Sequence, residues 1–154
     1  MVMSKKKNNI FAPQSSEKMK KEKIKERAIS EAQRYLDNAK TMLSEKAGKK
    51  GDFYTDVKYV KTACGTAYCG VLIIIDAYIA INGEVLKLPK YARKSIEYYQ
   101  ANLATRNTTM LNYLNAAYRV LHLNGYYEGE TKYAIIQAGM NVLKELTEYF
   151  RDKC

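Results

Sequence analysis

The segment from Thr55 to Ile81 constrains the fold more than any other part of the sequence, because it is long, mostly apolar and free of proline. After Tyr59 nearly every residue is apolar or small, and the run VLIIIDAYIAI at 71–81 is the most apolar in the chain. An apolar tract that continues well past strand length without turn residues predicts a helix enclosed by its neighbours. The β-branched residues within Val71–Ile75 leave a buried strand as the competing interpretation.

Four further segments carry apolar residues at steps of three and four, which is the period of a helix face. The predicted helices cover about 16–47, 89–104, 109–123 and 131–151, and Pro89 suits the first turn of a helix. Short turns separate them, such as GKKGD at 48–52, where Gly48 suits a left-handed helix end. The pattern predicts an all-α fold, an antiparallel up-and-down bundle of four or five helices. In the last helix the expected buried residues are Ile135, Ala138, Val142, Leu146 and Tyr149.

Basic charge is concentrated at the N-terminus. The chain has 154 residues and a net charge of +10, of which +6 falls within residues 1–27. We expect residues 1–15 to form a flexible basic arm, followed by a single helical-bundle domain over 16–154. Such an arm attracts nucleic acid, nucleotides or acidic surfaces. The alternative is a solvated tail that only keeps the protein soluble.

The cysteines and the apolar runs indicate the compartment. Cys64 and Cys69 are five residues apart on one helix, so their side chains point about 140° apart and are poor disulfide partners. With Cys154 the number of cysteines is odd, and reduced, partly buried thiols fit this best. The first residues lack an apolar segment of signal-peptide length, and the run at 71–81 is shorter than the ~20 residues that span a bilayer. We therefore expect a cytoplasmic protein without a membrane segment.

Several kinds of site are excluded by the residues available. One histidine and two helical cysteines without a CxxC spacing do not make a zinc site. The sequence has no glycine-rich phosphate loop and no GxSxG motif. The sequence therefore predicts neither a metal site nor a bound cofactor.

Asp76 is the most unusual residue of the apolar segment. It stands among Ile73, Ile74, Ile75 and Ile79, where an unpaired carboxylate would be costly. We expect it to pair with a basic side chain or tyrosine hydroxyls, Arg93 and Lys94 being the preferred partners. A ligand-binding or acid–base role and simple exposure at a helix edge are the alternatives.

The stretch YRVLHLNGYYEG at 118–129 contains the single histidine, His122. Asn115, Tyr118 and His122 are spaced to share one helix face, and Arg119 lies next to His122. This face is either an ordinary helix surface with a histidine near the helix end, or a binding or catalytic site. The chain also has 14 tyrosines and no tryptophan. Most tyrosines are expected in the core, but those around the last turn could form a groove that stacks bases: Tyr118, Tyr126, Tyr127 and Tyr133.

Four phrases carry a family resemblance: EAQRYLDNAKTML, KYVKTACGTAYCGVLIIIDAYI, ARKSIEYY and LNAAYRVLHLNGYYEG. In this order they resemble an uncharacterised family of short bacterial helical proteins, over about residues 28–150. The helix order also resembles the HEPN superfamily of nucleotide-binding bundles, which implies an antiparallel four-helix bundle that often dimerises. HEPN ribonucleases have four to six residues between an arginine and a histidine, whereas only two separate Arg119 from His122. The resemblance therefore implies HEPN-like architecture without the ribonuclease motif.

These observations predict a non-enzymatic binding or interaction module, acting as a homodimer. Its partner would be a protein, a nucleotide or nucleic acid. The candidate ligand-binding residues are Asp76, Arg93, Lys94, Asn115, Tyr118, His122 and Tyr126. The alternative is an RNA-cleaving or nucleotide-processing enzyme, with His122 as the acid–base group and Arg119 holding a phosphate.

Overall fold

The chain is all-α in its computed structural model, which describes the backbone of residues 2–83 and 93–154 and side chains from Ser15 onward. The described residues form five α-helices, one π-helix and one short hairpin. The elements are α1 (Val2–Lys46), β1 (Lys49–Lys50), β2 (Phe53–Tyr54), α2 (Val57–Ile81), α3 (Ile96–Ala104), α4 (Thr108–Ala117), the π-helix (Tyr118–Tyr127) and α5 (Tyr133–Lys153).

The apolar segment forms α2, so the helix prediction is confirmed and the strand alternative is wrong. Asp56 caps its first turn by accepting a hydrogen bond from the Lys58 backbone N–H at 3.2 Å. At the other end Asn82 donates to the Tyr78 carbonyl, and Gly83 takes a positive φ of 94°. The helix packs against α1, α4, the π-helix and α5, which makes it the centre of the core.

By length and composition alone, α2 is the one helix among the described residues that could cross a membrane. The run at 71–81 is too short for this, but the whole helix is not. Half of its most apolar window is buried inside the protein, as in the core helix of a bundle.

The first helix begins at Val2 and runs through the segment that the sequence predicted as an arm. The sequence placed its start near Ser15, whereas in the structure the helix already includes Pro13, a residue that usually interrupts helices. Whether residues 1–15 move freely stays a prediction. The buried stripe of α1 consists of Ala28, Ala32, Leu36, Ala39 and Leu43, and it continues in Ala47 directly after the helix.

A hairpin replaces the simple turn expected after α1. Gly48 and Gly51 have φ of 63° and 60°, so the expected left-handed Gly48 is confirmed. The hairpin is tied to the start of α5 by two backbone hydrogen bonds of 2.8 Å, from Tyr54 N–H to the Thr131 carbonyl and from Tyr133 N–H to the Asp52 carbonyl. These bonds bring the end of α1 and the start of α5 together.

The boundaries of α3 and α4 differ from the prediction. Ser95 caps α3 by accepting from the Tyr98 N–H, so this helix begins at Ile96 and not near Pro89, which lies outside the described residues. Asn107 caps α4 in the same way, at 3.0 Å from the Met110 N–H. The chain then continues beyond residue 123 as a π-helix, which the periodicity did not predict.

The buried face of α5 is shifted by one residue from the predicted one. Leu146 is buried as expected, but Ala138 is exposed. Two neighbouring faces of this helix carry apolar residues, and Gly139 selects between them because a Cβ there would lie 2.6 Å from Leu121 Cδ2. The buried residues are Ile136, Gly139, Met140, Leu143, Leu146, Thr147 and Phe150.

Candidate functional site: an aromatic groove between α2 and the π-helix

The π-helix places four ring side chains on one face. A π-helix closes its hydrogen bonds between residues five apart, so such residues lie close to one another along the axis. In an α-helix they would point about 140° apart. Tyr118, His122 and Tyr126 follow at steps of four, and Tyr127 joins them at a step of five. The departure from α-helical geometry therefore adds Tyr127 to a face that the other three rings already share.

His122 lies at the centre of the ring cluster. Its ring stacks on Tyr68 of α2 with centroids 4.8 Å apart and an interplanar angle of 24°. On the π-helix it lies 5.9 Å from the Tyr126 ring at only 11° and meets the edge of Tyr127 at 5.1 Å. Tyr68, His122 and Tyr126 thus form a nearly parallel stack, as expected for offset aromatic pairs.

Two glycines allow α2 and the π-helix to approach each other. A Cβ on Gly125 would overlap the Cys64 sulfur and lie 2.7 Å from Cys64 Cβ. A Cβ on Gly65 would lie 3.2 Å from Cδ2 of Tyr126. Gly65 therefore leaves room for the Tyr126 ring against α2, and the stack depends on both small residues.

Beside this stack lies a groove of about 440 Å³, within the size range of ligand pockets. The Thr62 and Thr66 hydroxyls each donate to the backbone carbonyl four residues earlier, at 2.9 Å. Their remaining lone pairs can accept hydrogen bonds from a ligand. The groove is lined by Tyr35, Thr62, Gly65, Thr66, Tyr68, Cys69, His122 and Tyr126.

The groove favours neutral side chains. Burial lowers the pKa of His122 below its usual 6.5, so the neutral imidazole, with one donor and one acceptor nitrogen, predominates at pH 7. Burial, helped by Tyr118 and Cys69, raises the pKa of Tyr68 to about 12. The lining residues include no carboxylate and no lysine or arginine. The arrangement suits contact with a flat, uncharged ring more than acid–base chemistry.

Because His122 is the single histidine, its titration can be followed by proton NMR without ambiguity. We expect a midpoint below 6.5 in the folded protein, since desolvation disfavours the imidazolium. The unfolded chain then binds a proton at a higher pH than the folded chain. The contribution of the neutral His122 to the free energy of unfolding should therefore be complete above pH 6.5. It should decline as the pH falls from 6.5 through the folded midpoint.

The variant His122→Gln is the control for this titration, because it should flatten that part of the stability profile. A folded-state midpoint at or above 6.5 would contradict the burial of the imidazole within the ring cluster.

Asp76 lies elsewhere on α2. Lys94 Nζ is 3.1 Å from its Oδ1, and the Tyr99 hydroxyl donates to its Oδ2 at 3.3 Å. Burial and the nearby Asp76 charge raise the pKa of Tyr99. The Lys94 and Asp76 side chains remain 47% and 41% exposed, so the ion pair stabilises the fold by about 0–1 kcal/mol. This contact accounts for a carboxylate beside so many isoleucines.

The sequence-predicted site residues do not converge on one place. Asp76 is two turns beyond Cys69, about 10 Å along the axis of α2. Asn115 accepts a hydrogen bond from Gln100 Nε2 of α3 at 2.8 Å. Arg93 and Arg119 are exposed, and neither lines the groove. Of the candidates, Tyr118, His122 and Tyr126 share the ring cluster.

Sequence reasoning missed the wall that α2 contributes. Thr62, Gly65, Thr66 and Cys69 recur at steps of three and four on an otherwise apolar helix. This stripe of small and polar residues is a signal for a solvent-facing strip. Tyr35 and Tyr68 gave no such signal, because each also fits an ordinary core position.

The comparisons with known proteins identify a family and a solved structure that are both described as of unknown function. A family model described as a domain of unknown function matches residues 27–151, close to the 28–150 expected from the sequence. Among solved structures, the chain is similar to a protein of unknown function from Dyadobacter fermentans. The two are 34% identical, the match covers 84% of this chain and 98% of that chain, and the TM-score is 0.73. No protein with a curated description matches the chain.

Proposed function

Since this chain belongs to the DUF5618 family, a domain of unknown function, we propose its activity from geometry: it is a non-enzymatic binding module whose aromatic groove receives a nucleobase. The observation that carries this is the parallel stack of Tyr68, His122 and Tyr126. Its outer ring, Tyr126, is 46% exposed at the edge of the groove. A flat ring entering there extends a stack that already exists.

The polar groups of the groove fit the edge of a base. The Thr62 and Thr66 oxygens accept hydrogen bonds from ring N–H or amino groups. The neutral His122 supplies one donor and one acceptor nitrogen, so it can pair with either an acceptor or a donor group on the edge of a base. Stacking on an aromatic side chain contributes about 1–3 kcal/mol per base. Such a site binds nucleotides or single-stranded nucleic acid.

Replacing Tyr126 by alanine should weaken nucleotide binding by about 1–3 kcal/mol, which is fivefold or more in Kd. Calorimetric titration of the wild type and Tyr126→Ala with the four ribonucleoside monophosphates measures this. Tyr113→Ala is the matched control, because Tyr113 belongs to a separate ring pair with Tyr149 and does not line the groove. Equal affinities of the two variants would exclude the groove, and no binding by the wild type would exclude the proposed ligand.

The enzymatic alternative rests on one observation, that His122 faces the groove. A general acid–base histidine acts with a nucleophile or a group that holds a phosphate. Arg119, the expected phosphate group, is exposed and does not line the groove. Turnover of RNA or nucleotides that disappears in His122→Ala would overturn the binding-only proposal.

We further propose a cytoplasmic homodimer of HEPN-like architecture, whose N-terminal arm contacts nucleic acid. Three free thiols support the reducing compartment, which cell fractionation tests. Exposed apolar side chains on the hairpin, at the first residues of α2 and α5 and at the end of the π-helix support a contact with a second copy or another protein: Phe53, Val57, Tyr133, Tyr126 and Tyr127. Analytical ultracentrifugation tests the dimer.

The contact of the arm with nucleic acid is tested by removing residues 1–27 and repeating the titrations with a single-stranded oligonucleotide at several salt concentrations. Unchanged affinity and salt dependence would exclude the arm as the contact.

A further inference from the structure

We infer that a second hollow, enclosed by the end of α1, the hairpin and the start of α5, binds a phosphate monoester of a small molecule. Its volume is about 510 Å³, the size of a site for a small ligand. It shares no lining residue with the aromatic groove, so this inference stands independently of the proposed function. Its lining includes Lys40, Thr41, Gly48, Lys49, Tyr54 and Tyr133.

The charge of the lining selects an anion. Lys40 and Lys49 contribute two ammonium groups, and no carboxylate lines the hollow. The ion pairs of the described residues engage Lys20, Arg34 and Lys94, so neither lysine of the hollow is neutralised by a carboxylate there. The end of α1 and the start of α5 bring helix-dipole charges of opposite sign, which largely offset each other. The two lysines therefore decide the sign of the local potential.

Lys49 is held in place without losing its charge. Its Nζ lies 3.8 Å from the centroid of the Tyr133 ring, which is a close cation–π contact. Tyr133 is in turn fixed by its backbone bond to Asp52. An anion that enters the hollow therefore meets an ammonium group that is already positioned, and this lowers the entropic cost of binding.

Tyr54 adds a directed donor. The residue is only 6% exposed, and its hydroxyl oxygen accepts a hydrogen bond from Gln137 Nε2 at 2.8 Å. That bond occupies the oxygen as an acceptor and leaves the hydroxyl hydrogen for a ligand. Thr41, which also carries a hydroxyl, lines the α1 side of the same hollow. Two lysines and two hydroxyl-bearing residues on different walls can therefore donate to the oxygens of a tetrahedral anion.

Two positive charges fit a phosphate monoester better than a diester or a carboxylate. A monoester carries about −1.5 to −2 charges at pH 7, whereas a diester or a carboxylate carries one. Lysine binds phosphate as a point charge. The limited volume favours a small phosphorylated molecule over a polymer.

The test uses ligands without an aromatic ring, so that the aromatic groove cannot contribute. Inorganic phosphate, glycerol phosphate and dimethyl phosphate are titrated into the full-length protein, with binding followed by backbone amide NMR shifts. We expect glycerol phosphate and inorganic phosphate to shift the amides of Thr41, Gly48 and Tyr54 at millimolar concentration. Dimethyl phosphate, the monoanionic diester, should bind at least about tenfold more weakly, because it carries one negative charge where a monoester carries about −1.5 to −2.

Lys49→Gln is compared with Lys50→Gln, the neighbouring residue of the same strand. Both side chains are exposed and both changes remove one charge, but Lys50 does not line the hollow. We expect Lys49→Gln and Lys40→Gln each to raise the Kd for glycerol phosphate about tenfold, and Lys50→Gln to change it less than about twofold. Tyr54→Phe, which keeps the ring, should also weaken binding.

Three results would overturn the inference: no amide shifts with glycerol phosphate or inorganic phosphate, an equal loss in the Lys49 and Lys50 variants, or equal affinity for the diester. Thermal unfolding of each variant shows whether the fold is retained. A 5′-phosphorylated oligonucleotide separates the two sources of a phosphate monoester. Tighter binding of this oligonucleotide than of glycerol phosphate, lost in Lys49→Gln, would contradict the small-molecule ligand.

Discussion

Replacing Phe150 by alanine is expected to lower the free energy of unfolding by about 3–5 kcal/mol. Phe150 is fully buried in the core and lies on the face of α5 that packs against α1 and α2. Removing its ring loses the transfer free energy of the side chain and leaves a cavity that its rigid neighbours fill only in part. Since domains of this size are stable by about 5–15 kcal/mol, the loss is a large fraction of the total.

Urea unfolding followed by circular dichroism measures this loss. Phe53→Ala is the matched control, because it removes the same atoms from a side chain that is 51% exposed on the hairpin. We expect the control to change the free energy of unfolding by less than about 0.5 kcal/mol. Similar losses in the two variants would contradict the position of Phe150 in the core.

Gly125→Ala is expected to cost about 1–3 kcal/mol by overpacking, although it adds a single methyl group. The new Cβ would overlap the sulfur of Cys64, which is fully buried, and would lie 3.2 Å from the Val120 carbonyl oxygen. The π-helix must therefore move away from α2. Because this contact holds His122 against Tyr68, the NMR titration midpoint of His122 should rise toward 6.5 as the ring becomes solvated.

Two further variants identify the cause of this loss. Cys64→Ala removes the sulfur, so the double variant should lose less stability than the sum of the two single variants. The relief is expected to be partial, because Cys64 Cβ would still lie 2.7 Å away. Gly51→Ala adds the same methyl where no atom lies within 4 Å, so any loss there comes from left-handed backbone strain at φ 60°, which Gly125 does not have, and not from overpacking. An additive double variant would exclude the steric contact with Cys64.

Local chemistry made several elements predictable. The continuous apolar tract predicted α2, since only a helix can enclose so long a tract without turns. Gly48 predicted the end of α1, because a left-handed residue costs little there. The capping residues Ser95 and Asn107 could also have located the starts of α3 and α4, because their side chains bind backbone N–H groups of the first turn.

The groove was predictable only in parts. The steps of four that separate Tyr118, His122 and Tyr126 are enough to predict that these rings share one helix face. Their contact with Tyr68 could not be predicted, because it requires α2 to approach within the space that Gly65 and Gly125 leave open. The positions of Lys40 and Lys49 around one hollow could not be predicted either, because they depend on the hydrogen bonds between the hairpin and the start of α5.

The sequence by itself determined that this protein is all-α, that α2 lies at its centre, and which residues can cap or break a helix. These features follow from interactions between residues a few positions apart and from the burial of apolar side chains. The tertiary structure decided which face of α5 is buried, that the chain from Tyr118 to Tyr127 winds as a π-helix, and that His122 meets Tyr68. The physical reason is that all three features depend on close packing between segments that are distant in the sequence. A Cβ on Gly125 would come too close to Cys64, and a Cβ on Gly139 too close to Leu121, so both contacts require glycine.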